Sequence, residues 1–189
     1  PLNLAIHQVI PAIAVGCSVI IKPATQTPMS AIRVVEILEE AGLPKGWAQA
    51  VVCDRQGGEL LATSPKVNAL TFIGSGSVGW YLNSKSSPGT RSALEHGGVA
   101  PVIVEPDADI EAMIPDLVKG GFYHAGQVCV SVQRIFVHES IADTIASKIA
   151  QKASKLVVGN QLDPKTEVGP LINHNEVNRV EEWVNEAVT

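Results

Sequence analysis

Val67-Asn-Ala-Leu-Thr-Phe-Ile73 runs directly into Gly74-Ser-Gly-Ser-Val-Gly79, and this junction decides the fold. The first seven residues read as a buried strand, and the glycines at 74, 76 and 79 satisfy the G-x-G-x-x-G spacing of a turn that opens a helix. Missing side chains let a backbone approach a pyrophosphate, and a helix N-terminus offers unpaired N–H groups and the positive end of its dipole. A glycine-rich strand-to-helix turn that binds nothing has the same local pattern, so the motif alone leaves both readings open.

The same alternation extends outward in both directions. Upstream, Cys17-Ser-Val-Ile-Ile-Lys22 reads as a strand, and Thr27 with Pro28 as the start of a helix. Ile32, Val35, Ile37, Leu38 and Ala41 form that helix's apolar face, and Gly42 and Pro44 stop it. Ala48 to Val52 is a strand, Glu59 to Thr63 a short helix, and Thr90 to Leu94 a strand leading into Gly97-Gly98. The order β-α-β-α-β-α-β predicts a mainly parallel sheet. Beyond Gly98 the pattern restarts, with strands at Pro101–Val104 and Arg134–Val137 and helices at Asp109–Gly120 and Ile141–Leu156. A domain boundary is expected near Gly97-Gly98, giving domains at 1–98 and 99–189.

Composition agrees with an α/β chain. Of 189 residues, 46% are hydrophobic and only 4% aromatic, so the core must be built from Val, Ile, Leu and Ala, as in buried parallel strands. The net charge of −5, with no Lys/Arg cluster, argues against a nucleic-acid or anionic-membrane surface. The longest apolar stretch, Val9 to Ile21, is broken by Pro11, Gly16 and Ser18 and is too short for a membrane span, so a soluble protein is expected. Cys17, Cys53 and Cys129 are odd in number and form no C-x-x-C pair, which indicates neither a disulfide framework nor a metal site. A reducing, cytoplasmic setting is expected. The chain opens on Pro1 inside an apolar segment, and Val177, Val180, Val184 and Ala187 continue at helical spacing to the last residue. Both ends suggest a piece of a longer protein.

Two segments carry reactive groups. Gly126-Gln-Val-Cys129 puts a thiol in a polar loop with Gln127, Ser131 and Gln133 close by. Partial exposure of that kind suits a nucleophilic cysteine, whereas Cys17, within a strand, and Cys53, just after one, read as structural. Glu95-His96-Gly97-Gly98 places a carboxylate at a strand end, with His96 as a second candidate base. A dinucleotide fingerprint also wants an acidic residue ~20 positions after the glycines, to bond a ribose. Glu95 could fill that role instead.

Ile20-Ile-Lys-Pro-Ala-Thr-Gln-Thr-Pro28, Phe72 to Gly79, Leu94-Glu-His-Gly-Gly98 and Gly126-Gln-Val-Cys129 resemble, in order, the signatures of the aldehyde dehydrogenase superfamily. The 34 residues from Glu95 to Cys129 match its spacing, and Val158-Gly-Asn with Thr166 to Ile172 resembles its next landmark. The resemblance implies an α/β fold: a Rossmann-like parallel sheet of the cofactor domain, followed by the first part of an α/β catalytic domain. It implies Cys129 as nucleophile, Glu95 as general base, Lys22 on the adenosine ribose, and Ser75, framed by Gly74 and Gly79, on the pyrophosphate. Phe72 and Gly97 would shape the cofactor cleft. Ribose ligands at the Lys22 segment would release Glu95 for catalysis.

The implied activity is oxidation of a small-molecule aldehyde with NAD or NADP, without a metal, in a homo-oligomeric full-length enzyme. The sequence departs from the family at several points. Pro1 matches the last proline of the motif that carries the family's oxyanion asparagine, which would fall before the chain begins. Gln8 replaces a common lysine, and His96 a usual leucine. Thr25 stands where many NAD-specific relatives carry a glutamate. A neutral hydroxyl there, beside Lys22, implies tolerance of the NADP 2′-phosphate. The isolated chain is expected to have little activity. Three rivals stand beside this reading: a standard Rossmann dehydrogenase with Glu95 on the ribose, a coenzyme A-acylating aldehyde dehydrogenase, and a non-catalytic nucleotide-binding chain.

Overall fold

The structure, a computed structural model, describes residues 2–189, so Pro1 and its motif comparison lie outside the described residues. The chain divides into two compact units, one ending at His96 and one from Gly97 to Thr189.

The first unit contains α1 (Leu2–Ala14), β1 (Val19–Ile21), α2 (Met29–Glu40), β2 (Ala48–Ala50), α3 (Arg55–Ala62), β3 (Ala69–Ile73), α4 (Gly76–Lys85) and β4 (Arg91–Glu95). Its strands form two parallel ladders. In one, Val19 pairs with Ala48 and Ile21 with Ala50; in the other, Ala69 pairs with Arg91 and Ile73 with Glu95. The parallel expectation therefore holds, but as separate strand–helix–strand pairs rather than one continuous ladder. Helix α1 packs beside β1, and Gln8 Nε2 on it donates to Thr71 Oγ1 of β3 at 3.1 Å.

The helix ends show why these segments stop and start where they do. Gly42, at φ +97°, lets the chain turn back after α2, with its N–H on the Glu39 carbonyl and the Leu43 N–H on the Leu38 carbonyl. Those two bonds are the glycine-terminated C-cap expected from Gly42. The start of α2 differs from expectation. Pro28 has helical dihedrals and its carbonyl accepts from Ala31 and Ile32, but no side chain caps it, so Thr27 does not act as the cap. Helix α3 begins four residues earlier than its apolar pattern suggests, because the Asp54 side chain accepts from Gly57 N at 2.8 Å and starts the helix over a glycine pair.

The second unit contains β5 (Val102–Val104), α5 (Ile110–Phe122), β6 (Ile135–Val137), α6 (Ala142–Ala153) and α7 (His174–Val188). β5 and β6 are parallel, with Ile103 opposite Phe136. Val104, Ile114, Val118 and Ile145 are buried together, so one face of this ladder is covered by α5 and α6. Asp109 caps α5 through Ala112 N at 3.1 Å, and Asn173 caps α7 through Glu176 N at 3.0 Å. Among the described residues no helix is long and apolar enough to cross a membrane.

Candidate functional site

The glycine turn is built from beneath by three aromatic side chains. Strand β3 ends at Ile73, and the Gly74 N–H donates to the Glu95 carbonyl at 3.0 Å, which fixes the turn against the end of β4. The His96 ring lies 6.4 Å from Phe72 and 5.8 Å from Trp80, with Nδ1 at 3.4 Å from the Gly74 carbonyl. A Cβ on Gly79 would lie 2.3 Å from His96 Cε1, and one on Gly74 would lie 2.7 Å from Phe72 Cζ. Both glycines are thus required by space. Gly76 is not, since a Cβ there would meet only His96 at ordinary contact distance. His96 lies beneath this turn, and its Nε2 is buried without a hydrogen-bond partner among the described residues.

Above those rings the N-terminus of α4 is open. Ser75 occupies the cap position in extended conformation, but its side chain caps nothing and lies 3.4 Å from Ser77 Oγ. Among the described residues no side chain caps the first-turn N–H groups, which have the helix dipole behind them. Helix α3 makes the contrast, because the Asp54 carboxylate already occupies its N-terminus.

Tyr81 of α4 donates to Glu59 of α3 at 2.7 Å, and this hydrogen bond raises the Tyr81 hydroxyl above the usual phenol range. Lys22 leaves β1 and lays its stem over Gly58, where a Cβ would sit 3.2 Å from Cε; its Nζ donates to the Pro23 carbonyl at 3.0 Å. The Gly57–Gly58 pair that admits this stem was not singled out in the sequence. Two glycines in a helix's first turn, against propensity, are the signal that could have found it. Thr25 is exposed, and its hydroxyl makes no hydrogen bond among the described residues. Glu95 is exposed at the end of β4, and its carboxylate is likewise unpaired among them.

In the second unit the thiol sits after an unusual turn. His124, Ala125 and Gly126 have φ of 48°, 56° and 72°, three successive left-handed residues, two of them non-glycine. Each non-glycine residue in that region costs roughly 1–2 kcal/mol. Ser131, the one buried polar side chain among the described residues, donates from Oγ to the Gly126 carbonyl at 3.3 Å. Gln133 ties the far side of the loop, with its N–H on the Val99 carbonyl at 3.0 Å and Nε2 on the Gly98 carbonyl at 2.9 Å. A Cβ on Gly98 would lie 3.0 Å from the Cys129 carbonyl, whereas Gly97 faces open space. Cys129 is exposed, and its N–H makes no hydrogen bond to another described residue.

Exposure alone does not single out this cysteine. Cys17 is exposed as well, against the expectation of a structural strand residue. It precedes β1, and its carbonyl accepts from Trp47 Nε1 at 3.1 Å. Cys53 is half-buried against Gly57. What sets Cys129 apart is its strained, braced turn.

The sequence profile described as "Aldehyde dehydrogenase family" matches residues 1–189. The chain is 46% identical over 190 residues to the 3-sulfolactaldehyde dehydrogenase of Priestia aryabhattai, covering all of this chain and 39% of that protein. It therefore spans about two fifths of that relative's length. Among solved structures it resembles betaine aldehyde dehydrogenase of Staphylococcus aureus in complex with NAD+, with a TM-score of 0.93 and 35% identity over 98% of this chain and 37% of that one. It also resembles the glyceraldehyde-3-phosphate dehydrogenase GapN of Methanocaldococcus jannaschii complexed with NADP, with a TM-score of 0.93 and 39% identity over the whole of this chain and 42% of that one. These neighbours have the Rossmann-like α/β fold that the parallel strand–helix–strand pairs express here. The chain belongs to the aldehyde dehydrogenase family.

Proposed function

We propose that the protein carrying this chain oxidises an aldehyde to a carboxylic acid with NAD or NADP. In this reading residues 1–98 bind the nucleotide and residues 99–189 carry the thiol. The observation that carries it is the Cys129 turn, where an exposed cysteine, its N–H unpaired among the described residues, sits on a braced loop. The Cys129 thiolate adds to the carbonyl carbon and gives a tetrahedral thiohemiacetal, with the N–H donating to its oxyanion. NAD(P), when bound, takes up the two electrons and the hydrogen lost from that carbon. The thioester left on Cys129 is hydrolysed by a water whose proton passes to the Glu95 carboxylate, releasing the acid and regenerating the thiol.

The first unit fits a dinucleotide. Gly74 and Gly79 leave no room for a Cβ, and the α4 N-terminus has no side-chain cap, so Ser75 and the first-turn N–H groups would hold the pyrophosphate. Lys22 and Thr25 would face the adenosine ribose. Thr25 is neutral and makes no side-chain hydrogen bond among the described residues, which favours NADP being used at least comparably to NAD. Thr25→Glu should move the ratio of kcat/KM values toward NAD. A native enzyme that prefers NAD a hundredfold, or an unchanged ratio in the variant, assigns cofactor choice to other residues.

Glu95 separates this reading from its nearest rival. As a general base, Glu95→Gln slows deacylation by about 10²–10⁴-fold, so rapid mixing gives a burst of reduced cofactor followed by a slow steady state. Weakened cofactor binding with no burst returns Glu95 to the ribose. Transfer of the acyl group to coenzyme A is distinguished by whether the native enzyme turns over without it.

A further inference from the structure

The side chain of Gln127, two residues before the thiol, reaches a segment more than forty residues away. Its Oε1 accepts from the Ile172 N–H at 3.0 Å, while its Nε2 donates to the His124 carbonyl at 2.9 Å and lies 3.5 Å from the Pro170 carbonyl. One carboxamide thus uses both its acceptor and its donor. It is bound at one end to the left-handed turn and at the other to the Pro170–Ile172 strip. The Gln127 N–H also donates to the His124 carbonyl at 3.1 Å, so that carbonyl is held twice. His124 and Ala125 are in a conformation that L-residues rarely adopt. Such a turn persists only where its surroundings over-determine it.

The amide does more than brace one turn. Val157 pairs its N–H with the Glu167 carboxylate at 2.9 Å, and Val158 bridges to Val168, so the segment leading to Pro170 is itself anchored to the chain that follows α6. Gln127 therefore couples the thiol turn to a braced strip rather than to a free loop. On the opposite side Gln133 holds the Gly98 carbonyl, and Cys129 lies between the two glutamines.

We propose that Gln127 is a positioning residue for the Cys129 sulfur, its carboxamide locking the left-handed His124–Gly126 turn to the Pro170–Ile172 strip. The inference rests on the reading of Cys129 as nucleophile. A glutamine in this place is well suited to the task, because only a carboxamide offers an acceptor and a donor from one planar, uncharged group. A glutamate keeps the acceptor for the Ile172 N–H but turns its second oxygen toward the His124 and Pro170 carbonyls and adds a negative charge near the thiol. That charge disfavours the thiolate.

The test is the rate of iodoacetamide alkylation, mapped by mass spectrometry and followed against pH in the intact protein, for the native form, Gln127→Met and Gln127→Glu. Nucleotide affinity and the circular dichroism spectrum serve as measures of folding. Gln127→Met should reduce kcat by about tenfold, with cofactor affinity and aldehyde KM little changed, because the sulfur is misplaced and not lost. Its alkylation rate at Cys129 should shift at every pH. Gln127→Glu should instead displace the alkylation profile to higher pH. If Gln127→Met fails to fold, the high-pH plateau of the Gln127→Glu alkylation rate, where the added charge no longer limits thiolate formation, decides the question. A plateau different from the native one supports the positioning role, and an equal plateau overturns it. Equal Cys129 alkylation profiles in the native protein and the folded variants overturn the positioning role alone. Native alkylation at Cys17 or Cys53 with loss of activity, and Cys129 untouched, overturns the nucleophile reading from which this inference starts.

Discussion

The glycine turn of the first unit and the thiol turn of the second solve a similar problem by opposite means. In the proposed function each presents backbone N–H groups to something outside the protein. At Gly74–Gly79 the backbone is unstrained, and the constraint is space, since the rings of Phe72 and His96 occupy the places where side chains would go. At His124–Gly126 there is room for side chains, and the constraint is conformation, since two non-glycine residues are held left-handed by hydrogen bonds from Gln127 and Ser131. The first turn is rigid because of what lies beneath it, the second because of what is tied to it. A turn of the first kind tolerates no added atom. A turn of the second kind tolerates substitution at the strained residues but not removal of its ties.

That difference can be broken by exchange. Gly79→Ala forces a methyl group into the His96 ring, and overpacking of this kind destabilises by about 1–3 kcal/mol. The melting temperature should fall, and nucleotide affinity should weaken by about tenfold, or ~1.4 kcal/mol, as the α4 N-terminus is displaced. An unchanged melting temperature would mean that His96 moves aside freely and does not support the turn. The reverse exchange has a smaller effect. Ala125→Gly relieves left-handed strain of roughly 1–2 kcal/mol but adds backbone entropy to the unfolded chain worth roughly 0.5–1 kcal/mol. The net change should be a stabilisation of up to ~1.5 kcal/mol, read as a higher denaturation midpoint with unchanged nucleotide affinity. Destabilisation by that substitution would show that the Ala125 methyl contributes packing that outweighs its strain.

The two turns were also unequally legible in the sequence. Gly74 and Gly79 announce themselves, because a steric demand can be met only by glycine and leaves its mark in the residue type. Strand and helix order was readable for the same reason: Gly42 and Asp109 end and begin helices by chemistry specific to those residues. The thiol turn left a fainter mark. Nothing in His124-Ala125 signals left-handed backbone, since its cause lies in a carboxamide whose other partner is Ile172. Long-range hydrogen bonds have no local signature. The early start of α3 was missed because Gly57 and Gly58 argue against helix locally, and the Asp54 cap and the Lys22 stem override them. His96 was ambiguous in the sequence, since nothing local signals that its ring lies near Phe72 and Trp80.

In the proposed function the braced turn makes Cys129 the residue that carries the acyl group. The most direct measurement is to mix the Glu95→Gln form of the intact protein with an aldehyde and NAD or NADP, quench in acid during the burst, digest, and weigh the cysteine peptides. One peptide, the one containing Cys129, should be heavier by the acyl group, in an amount that matches the burst of reduced cofactor. An acyl group found on Cys17 or Cys53, or a full burst with Cys129 unmodified, would contradict it.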